Sequence, residues 1–165
     1  MGDYLTRFGS IDHFEKGGVS IIDDDPRNYV FSNVYEVAAN AEPFVKVAVA
    51  KNLEYVLEAI RVEGTSPWRT SGHDEFAIVM SGEVTFEFVD LADATTSRPA
   101  QGSVQLDHEP EGPSMGHVKA RRGHMVLLAA GSAYRYTADE PAALLLQTIA
   151  SDDTIFRWKE ICQTR

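Results

Sequence analysis

The amino-acid sequence predicts one all-β domain built as a sandwich or a barrel. Short runs rich in β-branched and aromatic residues recur from Val45 to Ile149, several of them alternate between apolar and polar side chains, and Gly-containing turns separate them. The chain has 165 residues, of which 44% are hydrophobic. A chain of this length buries enough apolar surface to fold as a single domain without a disulfide or a metal.

Charge and cysteine content restrict the partners and the compartment. The formal net charge is −10, from 25 acidic and 15 basic residues. Such an excess of acid repels phosphate groups, which argues against nucleic acid and anionic membranes as partners. The single cysteine, Cys162, cannot form an internal disulfide, and no apolar run approaches the roughly 20 residues that cross a bilayer. Residues 1–10 lack the pattern of a signal peptide, so a cytoplasmic location is expected.

Residues 1–44 are expected to form an extension that packs on the barrel or on a partner. The segment Asp23–Pro26 is a turn signal, because Asp side chains bind nearby backbone and Pro fixes φ. Ser32 is a candidate cap for a short helix that runs through Ala38 and ends at Asn40. A strand over Tyr29–Tyr35 is the alternative.

Strands are expected to dominate residues 45–150. Val45, Val47 and Val49 alternate with smaller or polar residues, and Tyr55–Glu63 repeats that alternation. The turn Ser81-Gly82-Glu83 is expected to join two strands as a hairpin. The predicted strands beyond Tyr55–Glu63 are Phe76–Met80, Val84–Val89, Val118–Arg121, Met125–Leu128, Tyr134–Tyr136 and Ala143–Ile149.

Two segments depart from the strand pattern. Residues 92–116 are polar and rich in Pro, Gly and Ser, so a long surface loop is expected there. Residues 151–165 are expected to form a C-terminal helix capped by Ser151, with Asp152 and Asp153 in its first turn. An apolar stripe on that helix would include Trp158 and Cys162.

Two segments resemble the paired motifs of cupins. Glu75 to Gly82 reads EFAIVMSG, a glutamate followed at fixed spacing by a turn glycine, as at the end of the first cupin motif. Gly123 to Tyr134 reads GHMVLLAAGSAY and is similar to the second motif. The resemblance covers about Val45 to Ile149 and implies a cupin fold, the jelly-roll barrel also called a double-stranded β-helix.

Cupin enzymes hold a metal with histidines and a glutamate from these motifs, and the resemblance carries over only Glu75. None of residues 68–71, where the first-motif histidines fall, is a histidine. Tyr134 stands in the place of the second-motif histidine, and Ala129 replaces the usual proline. One carboxylate and one phenol make a poor site for a divalent transition metal. We therefore expect no metal in this chain, and we expect Tyr134 to donate a hydrogen bond to Glu75 inside the barrel.

An atypical site is the alternative. His73 lies two residues before Glu75, so on a strand the two side chains would share a face. With Tyr134, or with His117 or His124, they would form an unusual histidine and carboxylate site. The remaining histidines, His13 and His108, lie in loop-like sequence.

Trp68 and Arg69 form the most unusual local segment. A tryptophan next to an arginine can bind an aromatic or anionic ligand or anchor an interface. The alternative is that Trp68 packs in the core at the barrel mouth while Arg69 pairs with Asp74 or Glu75. Four residues are candidates for contact with a substrate or a partner: Trp68, Arg69, Tyr136 and Trp158.

As a whole, the chain resembles the small subunit of two-component hydroquinone 1,2-dioxygenases. The resemblance lies in Ile22–Pro26, Ser66–Arg69, His73–Phe76 and Gly131–Tyr134. It implies a heteromer with a larger cupin-like subunit that binds Fe(II) and opens the hydroquinone ring with O₂ to give a hydroxymuconic semialdehyde. It also implies that this chain supplies walls and stability instead of metal ligands.

Two other functions stay open on the sequence alone. The chain would be a stand-alone cupin lyase, isomerase or dioxygenase if His73, Glu75 and Tyr134 formed an active site. It would be a metal-free binding module if the barrel cavity took up a small molecule without chemistry.

Overall fold

The structure is a computed structural model that describes residues 10–13, 33–91 and 102–157. The described part contains one short helix, α1 (Val34–Ala39), and ten strands. The strands are β1 (Lys46–Asn52), β2 (Tyr55–Thr65), β3 (Arg69–Ser71), β4 (Glu75–Ser81), β5 (Glu83–Asp90), β6 (Ser103–Gln105), β7 (Ser114–Arg121), β8 (Met125–Leu128), β9 (Ser132–Ile149) and β10 (Thr154–Ile155). The prediction of an all-β domain is confirmed.

One long strand, β9, organises the barrel because it changes neighbours along its length. Its first part pairs with β5 and β3, and its last part pairs with β4 and β2, always antiparallel. The strands thereby form two layers, β7-β5-β9-β3-β6 and β8-β4-β9-β2-β1-β10. Two sheets that share a bent strand close into the jelly-roll barrel expected of a cupin.

Gly82 forms a corner between the two layers. The predicted hairpin at this glycine is wrong, because β4 and β5 do not pair with each other and instead lie end to end along β9. Gly82 has a φ of 77°, and a Cβ atom there would lie 2.7 Å from the Cβ of Ala142. Only glycine combines this backbone conformation with so close an approach. A glycine-containing turn between two β-runs therefore marks a change of sheet here.

Alternation of side chains places the core between the layers. Val56, Ile60 and Val62 of β2 face inward, as the period of two predicts, and Tyr134 and Tyr136 do the same on β9. Phe86 packs edge-on against Tyr136, with ring centroids 5.6 Å apart. The core of the barrel is thus mostly apolar, and a smaller number of polar side chains are buried with it.

The cap of helix α1 lies one residue later than the predicted cap, Ser32. Asn33 caps it, and its side-chain oxygen accepts hydrogen bonds from the backbone N–H groups of Tyr35 and Glu36. Ser32 and most of the alternative strand lie outside the described residues, and Tyr35 itself is helical. Its hydroxyl donates to the carbonyl of Met80, which fixes α1 on the outside of the barrel.

Three sequence predictions outside the core need correction. The expected loop over residues 92–116 contains β6 and the start of β7, and residues 92–101 lie outside the described part. A helix does not begin at Ser151, because residues 151–157 form a turn and then β10, which pairs in parallel with β1. The rest of that predicted helix, with Trp158 and Cys162, lies outside the described residues. Short β3 was not predicted as a strand.

Within the described ranges, no helix has the length and apolar character needed to cross a bilayer.

Candidate functional site

Glu75 and Tyr134 meet inside the barrel, at the positions that correspond to cupin metal ligands. Glu75 begins β4 and Tyr134 lies near the start of β9, and both side chains are 0% exposed. The hydroxyl of Tyr134 donates a hydrogen bond to Oε2 of Glu75. The hydrogen bond predicted between these two side chains is confirmed. A phenol therefore contacts the carboxylate where the family motif has an imidazole.

Thr148 supplies the second hydrogen bond to this carboxylate. It lies on β9, and its hydroxyl donates to Oε1 of Glu75 at 2.5 Å. Both carboxylate oxygens thus have a hydroxyl donor, which is how a protein accommodates a buried acid. Sequence reasoning missed Thr148, although its even spacing from Tyr134 on one strand was a usable signal that both side chains share a face.

His73 joins the same network through Thr148. It lies in the bend between β3 and β4, so it does not share a strand face with Glu75 as expected. Its Nε2 accepts a hydrogen bond from the backbone N–H of Ile149 at 3.2 Å and lies 3.2 Å from the Thr148 hydroxyl oxygen. Its Nδ1 lies 3.1 Å from the hydroxyl of Ser71. An accepting Nε2 places the proton of a neutral imidazole on Nδ1, facing Ser71.

These contacts leave no ligand set for a metal. The oxygens of Glu75 and Nε2 of His73, the atoms that would coordinate an ion, are already acceptors in hydrogen bonds. In the described part of the chain, no three His, Cys, Asp or Glu side chains cluster as metal ligands do. His117 and His124 lie on the surface, with His124 against the backbone of Arg121. The residues at the cupin metal position of this chain do not fit a metal.

Two tyrosines line the interior next to Glu75. Tyr134 and Tyr136 are stacked at a tilt, with ring centroids 5.7 Å apart. Burial raises the pKa of both phenols above the ordinary value, and the charge of Glu75 adds to the effect. Both hydroxyls therefore keep their protons at neutral pH, and that of Tyr134 donates to Glu75.

A buried cluster of charged residues lies next to β10. Lys46 of β1 donates hydrogen bonds to Ser103 at 3.2 Å, Ser151 at 2.6 Å and Asp153 at 2.8 Å. Arg69 of β3 also donates to Asp153, through Nη2. The suggestion that Arg69 pairs with Asp74 or Glu75 is wrong, since the carboxylate of Asp74 instead accepts from the backbone of Ala130.

Glu58 completes this cluster from β2. Its side chain is fully buried, accepts from the Thr154 hydroxyl at 2.6 Å and lies 3.6 Å from the Lys46 ammonium. Burial raises the pKa of Glu58, and the charge of Lys46 offsets this only in part. For Asp153, burial acts in the same direction, but the hydrogen bond from Lys46 and the charge of Arg69 outweigh it, so its pKa lies below the ordinary value.

Sequence reasoning singled out neither Lys46 nor Glu58, and it placed Asp153 in a helix. Lys46 and Glu58 lie on the consecutive strands β1 and β2, but Asp153 lies 107 residues beyond Lys46, before β10. An alternating strand shows which side chains face inward, but it does not show which distant segment will pair with them. Local patterns therefore held no direct signal for this cluster.

A cavity of about 540 Å³ opens beside the cluster. Arg69 and Tyr136, two of the residues predicted to contact a substrate or a partner, line it together with Lys46 and Asp153. Phe44, Ile60 and Ile155 contribute apolar walls. This volume is in the range of small-molecule sites.

Trp68 directly precedes β3 and is buried, but unlike Arg69 it does not line the cavity. It packs with Leu91 and Ala133 in a small separate cluster. Its Nε1 donates to Glu109 at 2.6 Å, and the Arg135 guanidinium lies over its ring at 4.6 Å. The two neighbours Trp68 and Arg69 therefore do not form one binding site.

The comparison with solved structures identifies two chains of nearly the same length. A chain of hydroquinone 1,2-dioxygenase PnpCD, in complex with Cd²⁺ and 4-hydroxybenzonitrile, is 48% identical, with 98% of each chain covered and a TM-score of 0.90. A chain of hydroquinone 1,2-dioxygenase from Sphingomonas sp. TTNP3, with 4-hydroxybenzoate bound, is 51% identical, with 99% of each chain covered and a TM-score of 0.91. No protein-family model and no curated protein matches the sequence.

A third match is a longer chain with the same fold. In the complex of PnpCD with Fe³⁺, 86% of this chain superimposes on 39% of the other at a TM-score of 0.62 and 10% identity. PnpCD therefore has two kinds of chain that share this architecture, one matched over its whole length and one over part of it.

Proposed function

Because this chain belongs to the family of hydroquinone 1,2-dioxygenase chains, we propose that it is the small subunit of a heteromeric dioxygenase that cleaves the ring of hydroquinone-type aromatics. The observation that carries the proposal is sequence identity near one half over essentially the whole of both chains. Identity at this level over 98–99% of each chain supports a shared role in the assembly and not only a shared fold.

We propose that the partner is a larger cupin-like subunit. The two kinds of chain in PnpCD support a hetero-oligomer, because the longer one contains this same barrel within a larger polypeptide.

We propose that the larger subunit holds the iron, as Fe(II), and that this chain contributes none of its ligands. The hydrogen bonds of Glu75 and His73 support this assignment, because the atoms that would coordinate an ion already accept from hydroxyl and amide donors. When bound in the partner, iron would bring the aromatic diol and dioxygen together. The Glu75, Tyr134 and Thr148 network would instead hold the interior of this barrel in one arrangement.

We propose that an apolar patch on the outer layer contacts the larger subunit. Phe76 and Ile78 of β4 lie opposite Leu127 and Met125 of β8, and Leu127 and Met125 are 48% and 62% exposed. In the described part of the chain β8 pairs with β4 alone, so it is an edge strand. An exposed apolar patch on a sheet edge is typical of an interface, and it promotes aggregation if no partner covers it. This patch was not among the contact regions expected from the sequence.

Co-purification tests the assembly. The chain should co-purify with its larger subunit at a fixed ratio, and a Leu127→Asp variant should lose that association. Leu53→Asp is the matched control, because Leu53 is also apolar and exposed but lies in the turn between β1 and β2. If Leu127→Asp and Leu53→Asp bind the partner equally well, the patch is not the interface.

Metal analysis and activity measurements test which subunit binds the iron. Iron should appear in the co-purified assembly and in the larger subunit but not in this chain alone, and ring cleavage of hydroquinone should appear only in the assembly. Stoichiometric iron on this polypeptide by itself would overturn the proposal. His73→Ala should leave the iron content of the assembly unchanged, whereas loss of iron in a folded His73→Ala variant would favour the stand-alone cupin enzyme.

We propose a cytoplasmic location for the assembly. The chain has a single cysteine, Cys162, which supports a reducing compartment. Fractionation of the native host should recover the chain and its partner together in the cytosolic fraction, and recovery from an extracytoplasmic fraction would contradict this.

A further inference from the structure

Resting on the proposed function for the identity of the partner, we propose that the edge strand β7 is a docking site for an extended segment of the larger subunit. That segment adds to the sheet as a further strand, and its residues alternate between acidic and apolar side chains. Three features of β7 support the docking site: an open edge, a core-facing side that is partly exposed, and an outward side with excess positive charge.

Within the described residues, β7 pairs with β5 alone, so one edge of this strand has no neighbour there. Over Ser114–Arg121, the backbone N–H and C=O groups that point away from β5 are available to a further strand. Addition of an extended segment to such an edge is a common mode of peptide recognition. The strand β8 follows β7 after residues 122–124 and contacts it, so this edge adjoins the apolar patch assigned to the same partner.

The core-facing side of β7 is only partly covered. Val118 lies opposite Phe86, which belongs to the core, so both side chains face the interior. Phe86 is 0% exposed, yet Val118 is 44% exposed. The cover of the core therefore ends at β7, and an added strand would bury Val118 by placing apolar side chains beside it. Because side chains alternate along a strand, those apolar residues must occupy every second position of the segment.

The outward side of β7 carries more positive than negative charge. Lys119 and Arg121 are two residues apart on this side, 60% and 74% exposed, and both bind the same carboxylate, Glu83, at 3.1 Å and 2.6 Å. Glu87 of β5 is bound by Arg135 instead, at 2.5 Å. The formal net charge of the chain is −10, so this concentration of cations is local. An added strand must present acidic residues to it.

The charge of β7 selects the larger subunit over a second copy of this chain. Pairing two copies through β7 would bring residues 114–124 of one against the same residues of the other, and this stretch contains two arginines, a lysine and no acidic residue. Like charges on neighbouring strands destabilise the pairing. The larger subunit is also the partner assigned to the adjoining patch on β8, so one partner can occupy both surfaces.

Hydrogen exchange of the co-purified assembly tests the addition of a strand. The β7 amides that point away from β5 should exchange at least about tenfold more slowly in the assembly than in this chain alone, because they become bonded to the added strand. The amides of β6, at the other edge of the same layer, are the internal reference and should exchange equally in both samples. Unchanged exchange along β7 in the assembly would overturn the docking site.

Reversal of one charge on β7 tests the acidic character of the segment. Lys119→Glu should weaken binding to the larger subunit by about tenfold or more, because the acidic residues of the added strand would then face a carboxylate. Lys51→Glu is the matched control, since Lys51 is also an exposed lysine on a strand but lies on β1, in the other layer. The two variants change the net charge of the chain equally, and the affinity of Lys51→Glu should equal that of the unmodified chain.

Two results distinguish failure of the docking site from failure of the proposed function. If the unmodified chain does not associate with the larger subunit, both are wrong. If the assembly forms and cleaves hydroquinone, but Lys119→Glu binds the larger subunit as tightly as Lys51→Glu does, the proposed function stands and the docking site at β7 is wrong.

Discussion

Replacing Tyr134 with phenylalanine is the sharpest test of the buried network. The substitution removes one hydroxyl and keeps the ring, so the packing against Tyr136 is preserved. What it takes away is the donor to Oε2 of Glu75, a carboxylate that is 0% exposed and therefore shielded from bulk water. The hydroxyl of Thr148 remains on the other oxygen. The change therefore isolates a single hydrogen bond to a buried acid.

The expected loss is about 2 kcal/mol in the free energy of unfolding. A hydrogen bond to a charged group contributes roughly 1.5–3 kcal/mol, and a buried acceptor left without its donor loses the full amount. The space left by one oxygen atom adds little. In urea, where the free energy of unfolding of a small domain falls by about 1–3 kcal/mol per molar, the midpoint should drop by about 1 M.

A double-mutant cycle assigns the loss to the pair. Tyr134→Phe is measured in the unmodified chain and in a Glu75→Gln background, where the acceptor carries no charge. The cost of losing the hydroxyl should be smaller in that background, with a coupling energy of about 1 kcal/mol. Tyr55→Phe is the control, since the exposed Tyr55 hydroxyl should contribute less than about 0.5 kcal/mol.

An unchanged urea midpoint for Tyr134→Phe would refute the argument. So would equal losses in the unmodified chain and in the Glu75→Gln background, because the effect would then come from packing and not from the carboxylate. Either result would mean that Tyr134 fills space beside Glu75 without stabilising its charge.

Three other perturbations address the charged cluster, the sheet corner and the helix cap. Asp153→Asn should cost about 1–3 kcal/mol at pH 7, because Lys46 loses its counter-charge, with the value reduced by the partial exposure of Asp153. Because folding lowers the pKa of Asp153, this stabilisation is present above roughly pH 4 and is lost as the pH falls. The free energies of unfolding of Asp153→Asn and of the unmodified chain, measured by chemical denaturation, should therefore become more similar toward acid pH. Gly82→Ala should lower the free energy of unfolding by at least about 1 kcal/mol more than Gly64→Ala does, in thermal or urea denaturation. Both glycines have a positive φ, but only at Gly82 would the new Cβ meet a neighbouring side chain. Equal losses for the two variants would contradict this. Asn33→Ala should destabilise the chain by about 1 kcal/mol in urea denaturation through loss of the α1 cap, and no change would show that tertiary contacts alone hold the helix.

Side-chain alternation made much of the barrel predictable. The burial of strand β2 alternates from Tyr55 to Glu63 except at Ala59, which is also buried, and its two faces are those predicted from the sequence. The two tyrosines of β9 face inward for the same reason, and this predicted the contact with Glu75. Regular strands transmit this information because each side chain takes its direction from its position along the backbone.

The predictions from the sequence were wrong where long-range strand pairing or a helix cap determines the structure. A turn such as Ser81-Gly82-Glu83 has the same composition whether it reverses the chain into a hairpin or leads it into the second sheet. Here the pairing of both β4 and β5 with β9 determines that the chain enters the second sheet. Ser151 and the two aspartates that follow are an acceptable helix start locally. The buried Lys46 and Arg69 attract Asp153 instead and hold β10 beside β1.

The network around Glu75 explains why one substitution would not turn this barrel into a metal site. A histidine at position 134 would remove the phenol, but Thr148 would still donate to Glu75, and the Ile149 amide would still occupy Nε2 of His73. Thr148 and Ile149 adjoin on β9, so freeing these acceptors requires a different path for the end of that strand as well as new side chains. Because a buried carboxylate without an ion needs donors on both oxygens, the tyrosine and the threonine stabilise the same metal-free state. The lack of a ligand set among these described residues is therefore a property of the packed interior and not of one missing histidine.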